Sequence, residues 1–307
     1  TGGQIQNYES QLDSAFSYAN RNDIRVIKTG YVNDVSQNIK RIGADGKEYK
    51  EWHHGQFMVE HFRKVIEKAA QYQVSLVPHE PIKDTGIRRT YPNILSREGA
   101  KGQEFNGFMS TKDNNKPNHT TILPFTRLLS SPMDYTPGIF NIKEYRYHSP
   151  DNRTINEYHH IPSTIAKELA LYIVLYAPVQ MAADLPTNYE GHPAFQFILD
   201  VPTDWEKTVV LNGEIGKYIS TARKDINSDD WYLGSITNEN ERELNINLSF
   251  LDADITYKAT IYKDPNNGGW KSKPEEVVIE TIVVKKDDIY TASLMPGGGH
   301  AIRFSPL

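Results

Sequence analysis

Two kinds of hydrophobic spacing divide the chain. Over residues 8–19, Tyr8, Leu12, Ala15, Phe16 and Ala19 recur near the helical period, and Asn20-Arg21-Asn22 stops the run. Residues 24–27 form a short apolar stretch, expected as a strand, that ends in Lys28-Thr29-Gly30. A polar insertion follows over residues 34–52, with Gly43 and Gly46 as turn residues. Phe57, Val59, Phe62, Val65, Ile66, Ala69 and Ala70 then mark one face of a second helix over residues 57–72. Residues 74–77 read as the next strand, running into Pro78-His79-Glu80. Helices are also expected over residues 122–130 and 164–181, the latter with Ser163 as N-cap, and a late strand over residues 208–211. Strand, loop and helix repeated in this order predict parallel βα units, an α/β fold.

Near residue 220 the period changes to two. Residues 244–251, 255–262, 277–284 and 289–294 alternate apolar and polar side chains, punctuated by Asp264-Pro265-Asn266-Asn267-Gly268-Gly269 and Pro296-Gly297-Gly298-Gly299. That is the pattern of an antiparallel all-β domain. The expected domains are therefore residues 1–220 and 221–307.

Composition narrows the function classes. A chain of 307 residues, 38% hydrophobic and 24% charged, can bury a sizeable core. Its net charge of −5 gives no sign of a nucleic-acid partner or an anionic membrane surface. The longest apolar run, residues 169–179, is broken by Pro178 and is too short for a membrane span. With no cysteine, disulfides, thiolate metal sites and thiol nucleophiles are excluded. Neither a Walker-type loop nor a G-x-S-x-G elbow is present.

The densest chemistry lies at residues 79–104, where His79, Glu80, Glu98 and Glu104 stand among Arg88, Arg89 and Arg97. Residues 81–105 carry few apolar anchors and read as a long loop, and loops of that length in compact domains are usually functional or disordered. Gathered carboxylates repel. Either a hard cation such as Ca²⁺ takes up their oxygens, or one carboxyl keeps its proton and serves as an acid. The plainer alternative pairs Glu98 with Arg97 or Arg88 on a solvated loop. Zinc is disfavoured, because the adjacent pairs His53-His54 and His159-His160 lack the i, i+4 spacing that places two ligands on one helix face. Trp231 and Trp270 are candidate sugar-stacking platforms, although core or turn roles suit both better.

Several segments carry a family resemblance. Val26-Ile27-Lys28-Thr29-Gly30-Tyr31-Val32, His54-Gly55-Gln56-Phe57-Met58-Val59, Val77-Pro78-His79-Glu80, Arg89-Thr90-Tyr91-Pro92-Asn93-Ile94-Leu95-Ser96-Arg97-Glu98-Gly99 and Pro132-Met133-Asp134-Tyr135-Thr136-Pro137-Gly138 resemble glycoside hydrolase family 97, over nearly the whole chain. The resemblance implies the C-terminal portion of a catalytic (β/α)₈ TIM barrel followed by an antiparallel β-sandwich domain, in a periplasmic α-glucosidase or α-galactosidase. It also implies Glu104 as general acid and Glu80 as general base. Glu80, Glu98 and Glu104 would be calcium ligands, and Lys28 and His79 would bind hydroxyls of an oligosaccharide substrate.

Retaining members resemble Lys-Val-Asp-Phe where this chain reads Lys28-Thr29-Gly30-Tyr31. Glycine cannot attack an anomeric carbon, so the inverting α-glucosidase branch is expected, in which acid and base stand about 6.5–9.5 Å apart. Two family features are not in this sequence: a His-His-Glu carrying a second base, and an N-terminal sandwich that supplies a calcium ligand. The chain is therefore expected to be a piece that lacks its N-terminal partner segment. The alternatives are an α-galactosidase of the same family, or a non-catalytic carbohydrate-binding protein or inactive fragment.

Overall fold

The computed structural model describes residues 4–31, 39–108, 114–143 and 160–307. Residues 32–38, which include the end of the first quoted segment and the start of the polar insertion, and His159 of the second histidine pair lie outside the described residues. The chain divides into two compact units: Thr1–Ala100 with Ser130–Asp134, and Lys101–Leu129 with Tyr135–Leu307. Among the described residues no helix is long and apolar enough to cross a membrane.

The first unit follows the expected order. Helix α1 (Ile5–Arg21) leads into strand β1 (Val26–Thr29). The hairpin β2 (Ile39–Ile42) and β3 (Glu48–Glu51) comes next, then helix α2 (Gln56–Gln71) and strand β4 (Ser75–Pro78). β1 and β4 pair parallel, with Val26 opposite Ser75 and Thr29 opposite Pro78. Leu12, Phe16 and Ala19 of α1 and Val65, Ile66 and Ala69 of α2 pack with Leu76 and Ile94 into one apolar cluster. A second cluster joins Ile5, Tyr31, Ile39, Met58 and Phe62. The polar insertion makes its turn as the sequence requires: Gly46 takes φ +77°, and the Gly43 N–H donates to the Lys47 carbonyl. The expected strand over residues 24–27 sits two residues later. Asp23, at φ +55°, still belongs to the turn that follows α1.

The second unit begins with short helices, α3 (Glu104–Phe108) and α4 (His119–Ile122). The helix expected over residues 122–130 is instead α4 followed by the 3₁₀ turns Leu123–Phe125 and Arg127–Leu129. Pro124 cannot donate to an α-ladder, and Thr126 at φ −132° and ψ −81° breaks the run again. The helix expected over residues 164–181 is α5 (Ile165–Val174). Its cap is Thr164 rather than Ser163: the Thr164 hydroxyl accepts the Lys167 N–H at 3.1 Å. It ends where Pro178 would clash with the carbonyl of Val174, and Leu175 turns extended. Helices α6 (Pro186–Tyr189) and α7 (Phe195–Asp200) follow.

The remaining strands are β5 (Trp205–Glu214), β6 (Tyr218–Asp225), β7 (Trp231–Thr237), β8 (Arg242–Asn247), β9 (Thr256–Lys263), β10 (Val278–Lys285), β11 (Ile289–Leu294) and β12 (Gly299–Pro306). Six form one antiparallel sheet in the order β10-β9-β12-β7-β6-β5, and β11 pairs with β8. The strand expected over residues 208–211 thus belongs to β5, antiparallel to β6, and the antiparallel region begins at Trp205. Trp231, Leu233, Tyr257, Ile261 and Phe304 of the large sheet share a core with Ile246, Ala292 and Leu294 of the small one. Trp231 is 1% exposed and donates through Nε1 to Asp252, so it is a core residue and no sugar platform. Trp270 is half-buried, with its ring against the backbone of Gly297.

Helix α5 packs against β7 and β12 on the opposite face of the large sheet. All ten of its residues are buried. Gly234 lets β7 approach: a Cβ there would stand 2.7 Å from the Ala170 carbonyl. The charges this helix buries are answered locally. Lys167 donates to the carbonyls of Pro117 (2.8 Å) and Thr237 (3.0 Å), and burial pushes its ammonium down to about 8. Asp264 accepts the Gly299 N–H at 3.1 Å, and burial pushes its carboxyl up to about 7.

Folding therefore favours protonated Asp264. Its contribution is complete below the ordinary carboxyl range, near 4, and is lost as pH rises through about 7. Asp264→Asn keeps the acceptor and removes the titration. The melting temperature of this variant relative to the parent should climb between pH 4 and pH 7. A difference independent of pH would contradict the assignment.

Candidate functional site

The parallel pairing of β1 and β4 decides which side chains meet. The ladder continues beyond the strands, with the His79 N–H donating to the Thr29 carbonyl at 2.6 Å. Gly30 and Glu80 therefore arrive together at the C-terminal ends of neighbouring strands. A Cβ on Gly30 would lie 3.1 Å from Glu80 Oε2 and 3.5 Å from His79 Cβ. The Tyr31 N–H donates to Glu80 Oε2 at 2.8 Å.

Glu80 itself takes φ +43°, which is uncommon for a residue with a Cβ. Its backbone is held on both sides of that kink. His53 donates through Nε2 to the Glu80 carbonyl at 2.6 Å, and the Glu80 N–H points to Glu98 Oε2 at 3.4 Å. Glu98 is brought in by its own N–H, which donates to the Pro78 carbonyl at 3.0 Å. Its Oε2 also lies 3.4 Å from His79 Nδ1.

His79 is 3% exposed and donates through Nε2 to Asp134 Oδ2 at 2.7 Å. Lys28 Nζ lies 3.8 Å from the same oxygen. Asp134 is 1% exposed, and its N–H donates to the Arg97 carbonyl at 3.1 Å. Lys28, His79, Glu80 and Glu98 thus form one constellation at the strand ends, joined by Asp134, His53 and the Tyr31 N–H.

Beneath it, Tyr31 is 1% exposed and its hydroxyl meets His61 Nε2 at 2.8 Å. His61 Nδ1 is in turn 2.8 Å from Glu9 Oε1, and Glu9 pairs with Lys64 at 2.6 Å. Burial pulls His61 below its ordinary value, and the hydrogen bond and charge of Glu9 oppose that shift. Helices α1 and α2 are thereby keyed to the segment that presents the Tyr31 N–H.

The loop over residues 81–97 is ordered from within. Asp84 accepts the Gly86 N–H at 2.9 Å and pairs with Arg88 (3.4 Å) and Arg97 (3.5 Å). Arg97 also donates to the Ile82 carbonyl at 2.9 Å. Asp84 is thus an acidic partner of both arginines, while Glu98 faces His79 and the Glu80 N–H.

Glu104 belongs to the second unit, where it is the first residue of α3 and half-buried. Its neighbour Gln103 anchors the helix: the backbone N–H donates to the Tyr135 carbonyl at 2.8 Å, and Nε2 donates to Glu168 Oε2 at 2.8 Å. The Tyr135 hydroxyl and Asn106 Nδ2 both donate to Gln103 Oε1. Glu168 is fully buried, and burial raises its carboxyl above the ordinary range.

Sequence reasoning singled out Lys28, His79, Glu80, Glu98 and Glu104. It passed over Asp134, which stands in a quoted segment but far from the other acids in sequence. His53 was weighed only as half of a zinc pair, yet its Nε2 is engaged by the Glu80 carbonyl. His160 Nε2 likewise donates to the Trp270 carbonyl. Among the described residues, no group of three or more histidines, aspartates or glutamates is by itself arranged to hold a metal ion. Glu80 and Glu98 do offer hard carboxylate oxygens at one strand end, the donor chemistry calcium takes.

Comparison with known proteins identifies the family. The family model Glycoside hydrolase 97 matches residues 2–100, and the model Glycosyl-hydrolase 97 C-terminal, oligomerisation, matches residues 204–305. The chain belongs to glycoside hydrolase family 97. A family 97 enzyme of Pseudoalteromonas sp. strain K8, solved with panose and with acarbose, is 46% identical, with a TM-score of 0.90 over 99% of this chain. A retaining alpha-galactosidase of Bacteroides thetaiotaomicron is 35% identical over 78% of the chain. A probable retaining alpha-galactosidase of Streptomyces bingchenggensis is 25% identical over 78%. The chain spans 46% of the solved relative and 35% of the Bacteroides enzyme.

Asp134 is the buried hub of the constellation. Asp134→Ala removes the acceptor of His79 Nε2 and should cost about 1–3 kcal/mol of stability, read from the urea midpoint. A midpoint equal to the parent's would deny it that role.

Proposed function

We propose that this family 97 chain serves hydrolysis of α-glucosidic bonds in oligosaccharides with inversion at the anomeric carbon. The observation that carries the reading is the missing side chain at Gly30. A retaining enzyme needs a carboxylate nucleophile, and the residue at the end of β1 has none to offer. The space beside its Cα is taken by Glu80 Oε2, held by the Tyr31 N–H at 2.8 Å. β1 and β4 are read as neighbouring strands of a (β/α)₈ barrel, whose chemistry belongs at the C-terminal ends of its strands. The binding of panose and acarbose by the Pseudoalteromonas relative favours a glucoside-type substrate.

Inversion needs two proton transfers on opposite faces of the sugar. Glu104 carries the proton that passes to the departing glycosidic oxygen. Glu80 accepts the proton of the attacking water, and the Tyr31 N–H and the His53 contact fix where its carboxylate and backbone stand. Lys28 and His79 bind substrate hydroxyls. Asp134, partner to both, limits their rotation, and that orientation contributes to rate. Calcium would be held by Glu80, Glu98 and Glu104, and when bound it supplies positive charge that offsets their repulsion. A periplasmic address follows from the family resemblance alone.

A second reading is α-galactoside hydrolysis with retention. The names of the Bacteroides and Streptomyces relatives favour it, and Gly30 speaks against it.

The test is hydrolysis of p-nitrophenyl α-glucoside and α-galactoside by the intact protein, with Ca²⁺ and with EDTA. The expected result is glucoside cleavage that EDTA abolishes and Ca²⁺ restores, with the β-anomer appearing first by ¹H NMR. Initial α-anomer would overturn inversion, and cleavage of the galactoside alone would favour the second reading. Glu104→Gln should lower kcat on substrates with poor leaving groups by about 10²–10⁴-fold. Full activity in that variant would remove Glu104 from the acid role.

A further inference from the structure

The platform candidates Trp231 and Trp270 lie in the second unit, but the open indole of the chain is in the first. Trp52 is 53% exposed, and Tyr49 on β3 is 41% exposed. An exposed ring says little by itself. Its place says more. Trp52 stands in the connection from β1 to α2, which leaves β1 at the end where Glu80 emerges from β4. In a barrel, the loops at that end surround the substrate. The next residue, His53, is fully buried and donates through Nε2 to the Glu80 carbonyl at 2.6 Å. Trp52 is thus one residue away from a group that fixes the backbone of Glu80.

The ring is also mounted firmly. The Gly55 N–H donates to the Trp52 carbonyl at 2.8 Å and closes the turn into α2. His54 packs against the indole, with centroids 5.3 Å apart and planes at 72°, and His53 packs against His54 at 5.0 Å and 89°. A T-shaped neighbour takes at most one face of a ring, so a face of Trp52 stays open. Among the described residues, the indole N–H has no acceptor. The hairpin that leads to Trp52 is braced in turn. Gln6 of α1 bonds both the N–H and the carbonyl of Ile42. Arg41 lies 4.7 Å over the Tyr49 ring and pairs with Glu51 at 2.6 Å, and the Tyr49 hydroxyl donates to Asp45 at 2.9 Å.

From this place and this mounting we infer that Trp52 is a stacking platform for a sugar unit of the substrate beyond the one held at Glu80. The inference rests on the reading that the strand ends bind an α-glucoside. A pyranose ring turns its C–H groups to an aromatic face and its hydroxyls outward, which suits a half-open indole with a spare N–H donor. A ring already fixed costs little further ordering when the sugar arrives. The platform therefore favours oligosaccharides over glycosides of a single sugar unit, and it does so through affinity, since the ring stands apart from the proton transfers.

Two substrates separate the platform from the reaction. α-Glucosyl fluoride presents the cleaved sugar alone, whereas panose carries further sugar units. In the intact protein, Trp52→Ala should raise KM for panose by about three- to tenfold, the loss of one stacking contact. Its kcat on panose should hardly move, and its effect on α-glucosyl fluoride should be far smaller. Trp52→Phe should recover most of the affinity for panose. Equal losses on both substrates would overturn the platform, as would a W52A variant that keeps the parent's KM for panose. A lower melting temperature with an unaltered KM would also overturn it, and would mean that another part of the polypeptide covers the ring. A parent that cleaves neither substrate would sink the proposed hydrolysis, and calorimetry would then decide the platform alone. Panose binding that W52A weakens by a similar factor and W52F retains would uphold it. No binding, or binding indifferent to Trp52, would overturn it.

Discussion

Everything at the candidate site depends on two short strands running parallel and in register. Because Thr29 stands opposite Pro78, the residues that follow each strand emerge side by side, and a backbone N–H at Tyr31 meets a carboxylate at Glu80. A shift of one residue would turn Glu80 to the other face of the sheet. The energy of that register comes from packing below the site. Leu76 and Ile94 are gripped by the apolar faces of α1 and α2, and burial of several such side chains, each contributing about 1.5–3 kcal/mol, outweighs what the exposed end of the strands could decide. The strand ends are then free to hold acidic groups close together, including a glutamate at positive φ.

The second unit solves a different problem, that of burying a helix completely. α5 has no solvent face, so its lysine and glutamate cannot reach water. Lys167 donates to two carbonyls, and Glu168 Oε2 accepts the Gly138 N–H and the Gln103 amide, while Glu168 Oε1 is buried without a hydrogen-bond partner among the described residues. The Gln103–Glu168 contact ties the start of α3, and with it Glu104, to the most buried helix of the structure. Glu104 thus rests on a rigid support although it begins a helix of only five residues.

The sequence made the helices legible wherever one face was apolar and the other polar, as in α1 and α2. It misled where an apolar run contained proline. Pro124 and Pro178 shortened two expected helices, because a missing N–H and a ring clash override hydrophobic spacing. The strands β6, β7 and β12 left no alternating trace, since β7 is buried throughout and the sheet is covered on both faces. At the site, acids clustered in sequence were readable. Asp134 was not, because its partners His79 and Lys28 come from other elements and only the fold brings them together.

The chain of contacts Glu9–His61–Tyr31 has a bearing on how this scaffold can be altered. It runs from the half-exposed outer side of α1 through α2 to the segment after β1, so the helical shell and the strand ends form one mechanical part. Transplanting the strand-end loops into another family 97 protein without the matching glutamate, histidine and tyrosine would carry the acidic groups across but not the frame that aims them.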